Sequence, residues 1–329
     1  MPAIDISGLP SLLKDQYRQH KPEFLSNLLI EDMPFKRYML VEPGVSDELT
    51  FPKMVVANVL QPGGKDSTNF TKLADIKARF GKVRPVKIDL RWTPTEQQGL
   101  IKSFMSHLKR EKLTYDDLPF AEWFLPMVSK AAKNDLARTL VWKGVFNNSN
   151  SGTVDCFDGL ITIASRSSTY NASTNPNPGI PSGRIVASPD GGMVISGAVD
   201  EVEKLIDLVP SEDLAAYEWA LVCDPDIEKF YARDYRTTYG QVIYNDSFEK
   251  KSPDGAPTVE FLGDVGLSGT GHAFLMPKGH ARFLADDESQ IDALTVEVAD
   301  RNLKVFVDFQ AAVEFAAIED VYWYQFTPE

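Results

Sequence analysis

Between residues 86 and 92, apolar Val86, Ile88, Leu90 and Trp92 alternate with charged Lys87, Asp89 and Arg91, the period-two pattern of a strand with one wet face. Thr93, Pro94 and Glu96 then stand where an N-cap, a first helical residue and a capping-box partner belong, since Thr and Glu side chains can each satisfy an orphan backbone donor. The pattern predicts a helix from Pro94, with Leu100, Ile101, Phe104, Met105 and Leu108 on one face and a break over residues 114–117. A second helix is predicted from the Asp117 and Pro119 signals to Gly144. Phe120, Trp123, Phe124, Met127, Val128 and Ala131 mark one side of it, and Lys130, Lys133, Asn134, Asp135 and Arg138 the other. Leu136, Leu140 and Val141 carry the apolar face on to Gly144, a natural C-terminal stop. At roughly 25 residues it would be about 37 Å long. Pro126 lies inside it and predicts a kink, because proline removes a donor and crowds the preceding turn.

Short helical pieces over residues 9–20 and 22–30, punctuated by Pro10, Pro22, Pro34 and Pro43, read as an arm that packs on something else. Residues 51–60 are strand-like, residues 61–64 (Gln-Pro-Gly-Gly) turn, a basic tip follows, and a return strand is expected over residues 83–92. This extended hairpin has little core of its own, so it either stays loose or lies on a neighbour. After Gly144 come a polar loop, the apolar stretch 158–164, and a tract over 165–184 rich in Ser, Asn, Pro and Gly that reads as a surface loop. Asp200 with Glu203 forms a capping-box pattern for a helix reaching Val209. Residues 218–223 are a short buried strand, and Asp224-Pro225 caps a helix with Ile227, Phe230 and Tyr231 inward, ending near Gly240. From Ala281 onward the chain turns to strands, with residues 294–298 and 303–309 alternating about a turn and residues 321–326 aromatic. The order of helices and strands implies a mixed lobe.

A chain of 329 residues can bury a sizeable core. Its 43% hydrophobic and 25% charged residues exclude a fibrous or disordered chain. No apolar run is long enough to span a bilayer, and the N-terminus lacks a signal-peptide pattern, so synthesis in the cytoplasm is the expectation. Cys156 and Cys223 match no metal or redox spacing and read as buried free thiols. The net charge of -13 argues against clamping nucleic acid with the whole surface. It is unevenly spread. Residues 65–91 hold eight basic side chains against three acidic ones, and residues 254–329 hold four against fourteen. Complementary regions suit contact between copies of the chain, and the same counts suit a solvated loop beside an acidic surface.

Enzyme-like motifs are weak. Residues 263–271 (Gly-Asp-Val-Gly-Leu-Ser-Gly-Thr-Gly) are out of register with a dinucleotide fingerprint, lack a following Lys-Ser/Thr, and run into a strand-like segment rather than a helix, so they read as a structural turn. His20, His107, His272 and His280 do not converge on a zinc spacing, and Ser268 lies in no nucleophile elbow. Tyr322, Trp323 and Tyr324 have no basic neighbours and read as core and interface. No catalytic residue, cofactor site or metal site is assigned.

The order of parts resembles the major capsid proteins of tailed bacteriophages, with the Hong Kong 97-like fold. Residues 87–96 are similar to the end of that family's extended loop, residues 119–144 to its spine helix, residues 158–160 and the preceding polar loop to the segment that follows it, residues 219–225 to its axial domain, and residues 294–309 to its peripheral strands. The resemblance implies an α+β fold: an N-terminal arm (1–48), an extended hairpin loop (49–92), a peripheral domain with the spine helix (93–144), an axial domain (145–280), peripheral strands (281–312) and a return to the axial domain (313–329). It implies a structural protein, not an enzyme, that self-assembles as hexamers and pentamers into a shell around double-stranded DNA. Its place would be the virion, and its partners a portal and a separate scaffolding or decoration protein. The family's scaffolding segment is not seen ahead of the arm, so a scaffold would be separate or already removed. No residue pair matches the covalent cross-link of some members. Inter-subunit contacts are expected from Lys72, Lys77, Arg79, Lys82, Arg84 and Lys87, and the bend of the spine at Pro126. An encapsulin-like compartment and a soluble α/β enzyme with its site between residues 158 and 280 are the competing readings.

Overall fold

A computed structural model describes residues 33–55, 75–112, 120–150, 152–171, 173–188, 193–240, 252–286, 295–299 and 302–325. The helical pieces expected in the arm, the turn at 61–64, Lys72 and the break at 114–117 lie outside them. In chain order the first elements are β1 (Met39–Glu42), β2 (Glu48–Val55), β3 (Asp75–Lys82), β4 (Arg84–Trp92), α1 (Pro94–Glu111), α2 (Phe120–Asp135) and α3 (Leu160–Ala164). There follow β5 (Ile185–Ala187), α4 (Ala198–Asp207), α5 (Ser211–Ala216), β6 (Trp219–Cys223) and α6 (Pro225–Tyr239). The chain ends with β7 (Val259–Gly263), β8 (Ala273–Pro277), β9 (Ala281–Ala285), β10 (Thr295–Ala299), β11 (Asn302–Phe315) and β12 (Tyr322–Gln325).

One sheet gathers strands from both ends of the chain in the order β1-β9-β11-β10, with β4 also on β11. The 14-residue β11 is its axle: it pairs antiparallel with β4 through Leu303–Ala311 and with β9 through Ala311–Phe315. The return strand expected over residues 83–92 is corrected here. The partner of β2 is β3, antiparallel from Glu48 opposite Lys82 to Val55 opposite Asp75. Alternation along 86–92 reports a wet face but not which strand lies alongside. The switch of sheets occurs at buried Val83, whose N–H bonds Asp47 O at 3.0 Å.

α1 and α2 cover the apolar face of β4 and β11. Val86, Val305, Val307 and Phe309 meet Phe104, Leu108, Phe124 and Val128 in one core, with Trp92 edge-on to Phe124 at 5.2 Å. The start of α1 follows the expected cap: Glu96 Oε2 accepts from both the backbone N–H and the hydroxyl of Thr93, each at 2.8 Å, and these bonds hold the Glu96 carboxyl below its ordinary pKa. α2 runs through exposed Pro126 as an α-helix, changes to π-helical geometry at Leu136–Leu140, and returns to α at Val141–Lys143. It stops at Gly144, but not by the expected left-handed cap. Gly144 has φ −61°, and a Cβ there would collide with the carbonyls of Phe157 and Leu140, so glycine is needed for close approach.

The second sheet has the order β5-β12-β8-β6-β7. Its central strands β6 and β8 are buried on both faces, which is why β6 reads as an uninterrupted apolar run. Trp219, Leu221 and Cys223 point into a core shared with α4 and α6, and Ala220 and Val222 into the core that holds Trp142 of the long helix. α6 begins and ends where the sequence signals it, capped by Asp224, which accepts from Asp226 N–H at 3.1 Å, and by left-handed Gly240. On its inner face Tyr235 and Asp234 are buried, whereas Phe230 is only half-buried. The cap of α4 also differs from expectation: buried Asp234 of α6 accepts from the N–H groups of Gly197 and Val199, both at 3.0 Å, in place of an Asp200–Glu203 box.

Candidate functional site

The hairpin of β2 and β3 meets the body at a polar junction. Arg79 of β3 is 7% exposed and Glu314 of β11 is 3% exposed. Arg79 Nε and Nη2 donate to Glu314 Oε1 at 3.0 and 2.8 Å, and its Nη1 donates to Pro178 O at 2.7 Å. Glu314 Oε1 also accepts from Phe315 N–H at 3.0 Å, so the buried carboxylate is well satisfied. Arg166 extends the network: its Nη2 donates to Asp158 Oδ2 at 2.7 Å and its Nη1 lies 3.7 Å from Glu314 Oε2. Asn177 grips the same strand, accepting from Phe80 N–H at 2.8 Å and donating to Phe80 O at 2.6 Å. Gly81 completes the junction by close approach, since a Cβ there would meet a Leu284 methyl at 2.5 Å and the Phe51 ring at 3.2 Å.

The six cations expected at contacts between copies have different settings. Lys72 lies outside the described residues, and Lys77 is placed by its backbone in β3. Lys82 is exposed. Arg84 sets its guanidinium 4.1 Å from the centre of the Phe146 ring, and Lys87 is an exposed strand residue whose ammonium is 2.6 Å from Asp89 Oδ2. Arg79 is the exception: its burial and its bonds to Glu314 and Pro178 make it an internal anchor of the hairpin, not a cation presented to a neighbour.

The Gly-rich stretch 263–271 is a structural turn. Asp264 Oδ1 accepts from Gly266 N–H at 2.7 Å, Asp264 Oδ2 from the Tyr38 hydroxyl at 2.6 Å, and Asp224 Oδ2 from Gly271 N–H at 3.0 Å. Burial raises both the Asp264 carboxyl and the Tyr38 hydroxyl above their ordinary pKa values. A Cβ on Gly266 would strike the Trp142 ring and Ala137 O, so this turn docks on the π-helical segment of the long helix. His280 Nε2 stands 3.7 Å from Asp320 Oδ2, and burial lowers the pKa of His272. Among the described residues no group of three or more His, Cys, Asp or Glu could hold a metal ion, and no helix is long and apolar enough to cross a membrane.

No family model matches the sequence, and no curated protein matches it. Solved structures do. The capsid asymmetric unit of cyanophage A-1(L) is similar at a TM-score of 0.55 and 13% identity, over 93% of this chain and 92% of that one. The capsid of a native GTA particle is similar at 0.54 and 11%, over 91% of this chain and 98% of that one. A Mycobacterium phage Adephagia structure is similar at 0.52 and 12%, over 90% of each chain. The fold is the Hong Kong 97-like one. Within this Hong Kong 97-like chain, the residues that sequence reasoning missed are Glu314, Arg166 and Asn177. Glu314 left a signal, as the single charge in the otherwise apolar run 311–317. Asn177 left none, because its partner Phe80 lies 97 residues away.

Proposed function

We propose that this chain is a major capsid protein that self-assembles into the icosahedral head of a tailed bacteriophage around double-stranded DNA. The observation that carries the reading is the likeness of about nine-tenths of the chain to capsid structures, among them those of a cyanophage and a GTA particle. On this reading the protein is structural and not catalytic, and resides in the virion. It forms hexamers and pentamers, and its further partners are a portal and a separate scaffolding or decoration protein. The arm (1–48), the hairpin of β2 and β3 and the axial domain (145–280) are the units that would meet neighbours. Lys72, Lys77, Lys82, Arg84 and Lys87 would face acidic surface on an adjacent subunit. Many such modest interfaces sum through multivalency. Pro126 would let the long helix follow the curvature of the shell. Negative-stain microscopy of the purified protein tests the assignment: closed shells are expected, and a compact monomer under all assembly conditions would overturn it. Shells from the native source that hold protein cargo and no DNA would instead identify an encapsulin-like compartment.

A further inference from the structure

The tract 165–184 is the longest polar segment of the described chain without a regular helix or strand before its last turn, and its side chains do not simply face water. We propose that it is a clasp that sets the angle at which the hairpin leaves the body; the consequence for shell geometry rests on the capsid reading above.

Three observations carry this. The clasp holds backbone, not side chain: Asn177 takes both the N–H and the C=O of Phe80, as a neighbouring strand would. It therefore grips β3 whatever side chain stands there and fixes its height against the body. The second observation is that the adjacent residue, Arg79, is fastened as well, with one arm on Pro178 O of the tract and two on Glu314 of β11. Such buried, charge-assisted bonds are directional, so they specify orientation in a way that apolar packing does not. The third is the space around the grip. A cleft of about 140 Å³ is lined by Ala78, Arg79, Tyr170 and Pro178. A groove of about 410 Å³ is lined by Phe80, Lys82, Arg166 and Asn177. Strand β3 at Phe80 thus borders two open clefts, so that beside the close approach at Gly81 these polar bonds set its orientation, and removing them lets it swing more widely.

Spin labels test the angle directly. With Cys156 replaced by Ser, labels at Lys53 on the hairpin and at exposed Lys229 on α6 report the distance from hairpin to body in the full chain held as unassembled subunits. The expected result is a single narrow distribution for the parent and one at least twofold broader, as a ratio of widths, for Asn177→Ala, with an unchanged melting temperature of the body. A distribution of the same width in Asn177→Ala and in Arg79→Met would overturn the clasp. The same variants are then assembled: mixed particle diameters from Asn177→Ala support the link to shell geometry, and parental diameters from a broadened hairpin sever it. If the parent forms no shells, the capsid reading fails, and the label distances still decide the clasp.

Discussion

At the scale of single residues, Arg79 and Glu314 form the pair most costly to separate. Both are almost fully buried, and removing the arginine leaves the carboxylate in a dry site with only the more distant Arg166 guanidinium, 3.7 Å from its Oε2, as counter-charge. Arg79→Met should therefore lower the unfolding free energy by about 3–5 kcal/mol, and adding Glu314→Gln should restore part of it. Urea denaturation of the four combinations checks this, and a loss below about 1 kcal/mol would mean that the pair behaves as a solvated one. Asp264 gives a different kind of prediction. Its folded pKa is raised by burial, so its contribution to stability is present in full below the unfolded carboxylate pKa and is lost as pH rises through the raised value. Asp264→Asn does not titrate. The melting temperature of the parent should accordingly rise relative to that variant as pH falls from about 7 to about 4, and a difference that stays flat would count against a perturbed carboxyl. The role of neither residue was legible in the sequence: Arg79 was expected as one of six cations at contacts between copies, and Asp264 as part of a glycine-rich turn.

Among the elements, the long helix joins the two lobes. Its π-helical segment, Leu136–Leu140, faces the turn at Gly266, and Trp142 just beyond is wholly buried. Pro126 lies earlier and exposed, within regular α-helix. Pro126→Ala restores a backbone donor and relieves the clash with the preceding turn. The variant should gain about 2 kcal/mol, the helical benefit less the entropy returned to the unfolded chain. Thermal melts check the gain, and a loss of stability would mean that the chain needs the proline conformation there. The positions of β6, α6 and the start of α1 were legible because caps and apolar periods act within a few residues. The π-helical segment was not, because Leu136 and Leu140 keep the apolar spacing of an uninterrupted α-helix.

For the whole molecule, the sheets decide where the hairpin stands. β3 and β4 are separated only by Val83 and belong to different sheets, so the hairpin springs from the edge of the body. Reversing charge at Lys77, Lys82, Arg84 and Lys87 together should abolish shells and leave a folded subunit, as read by microscopy beside circular dichroism. Normal shells from that variant would remove these cations of β3 and β4 and their junction from the assembly scheme. Arg79 is left out of the set because its charge is satisfied internally, and its reversal would place two carboxylates against each other in the core.

The sequence by itself determined the α+β class, most helix and strand positions, the caps of α1 and α6, and an order of parts like that of a capsid protein, because local propensity, capping and burial period act over one or two turns. Only the tertiary structure decided that β2 pairs with β3 and β4 with β11, that Asp234 caps a helix other than its own, and that Asn177 grips Phe80. Arg79 and Glu314 stand 235 residues apart. Which distant charge or carbonyl meets a given side chain depends on how sheets and helices are stacked, and no local period encodes that.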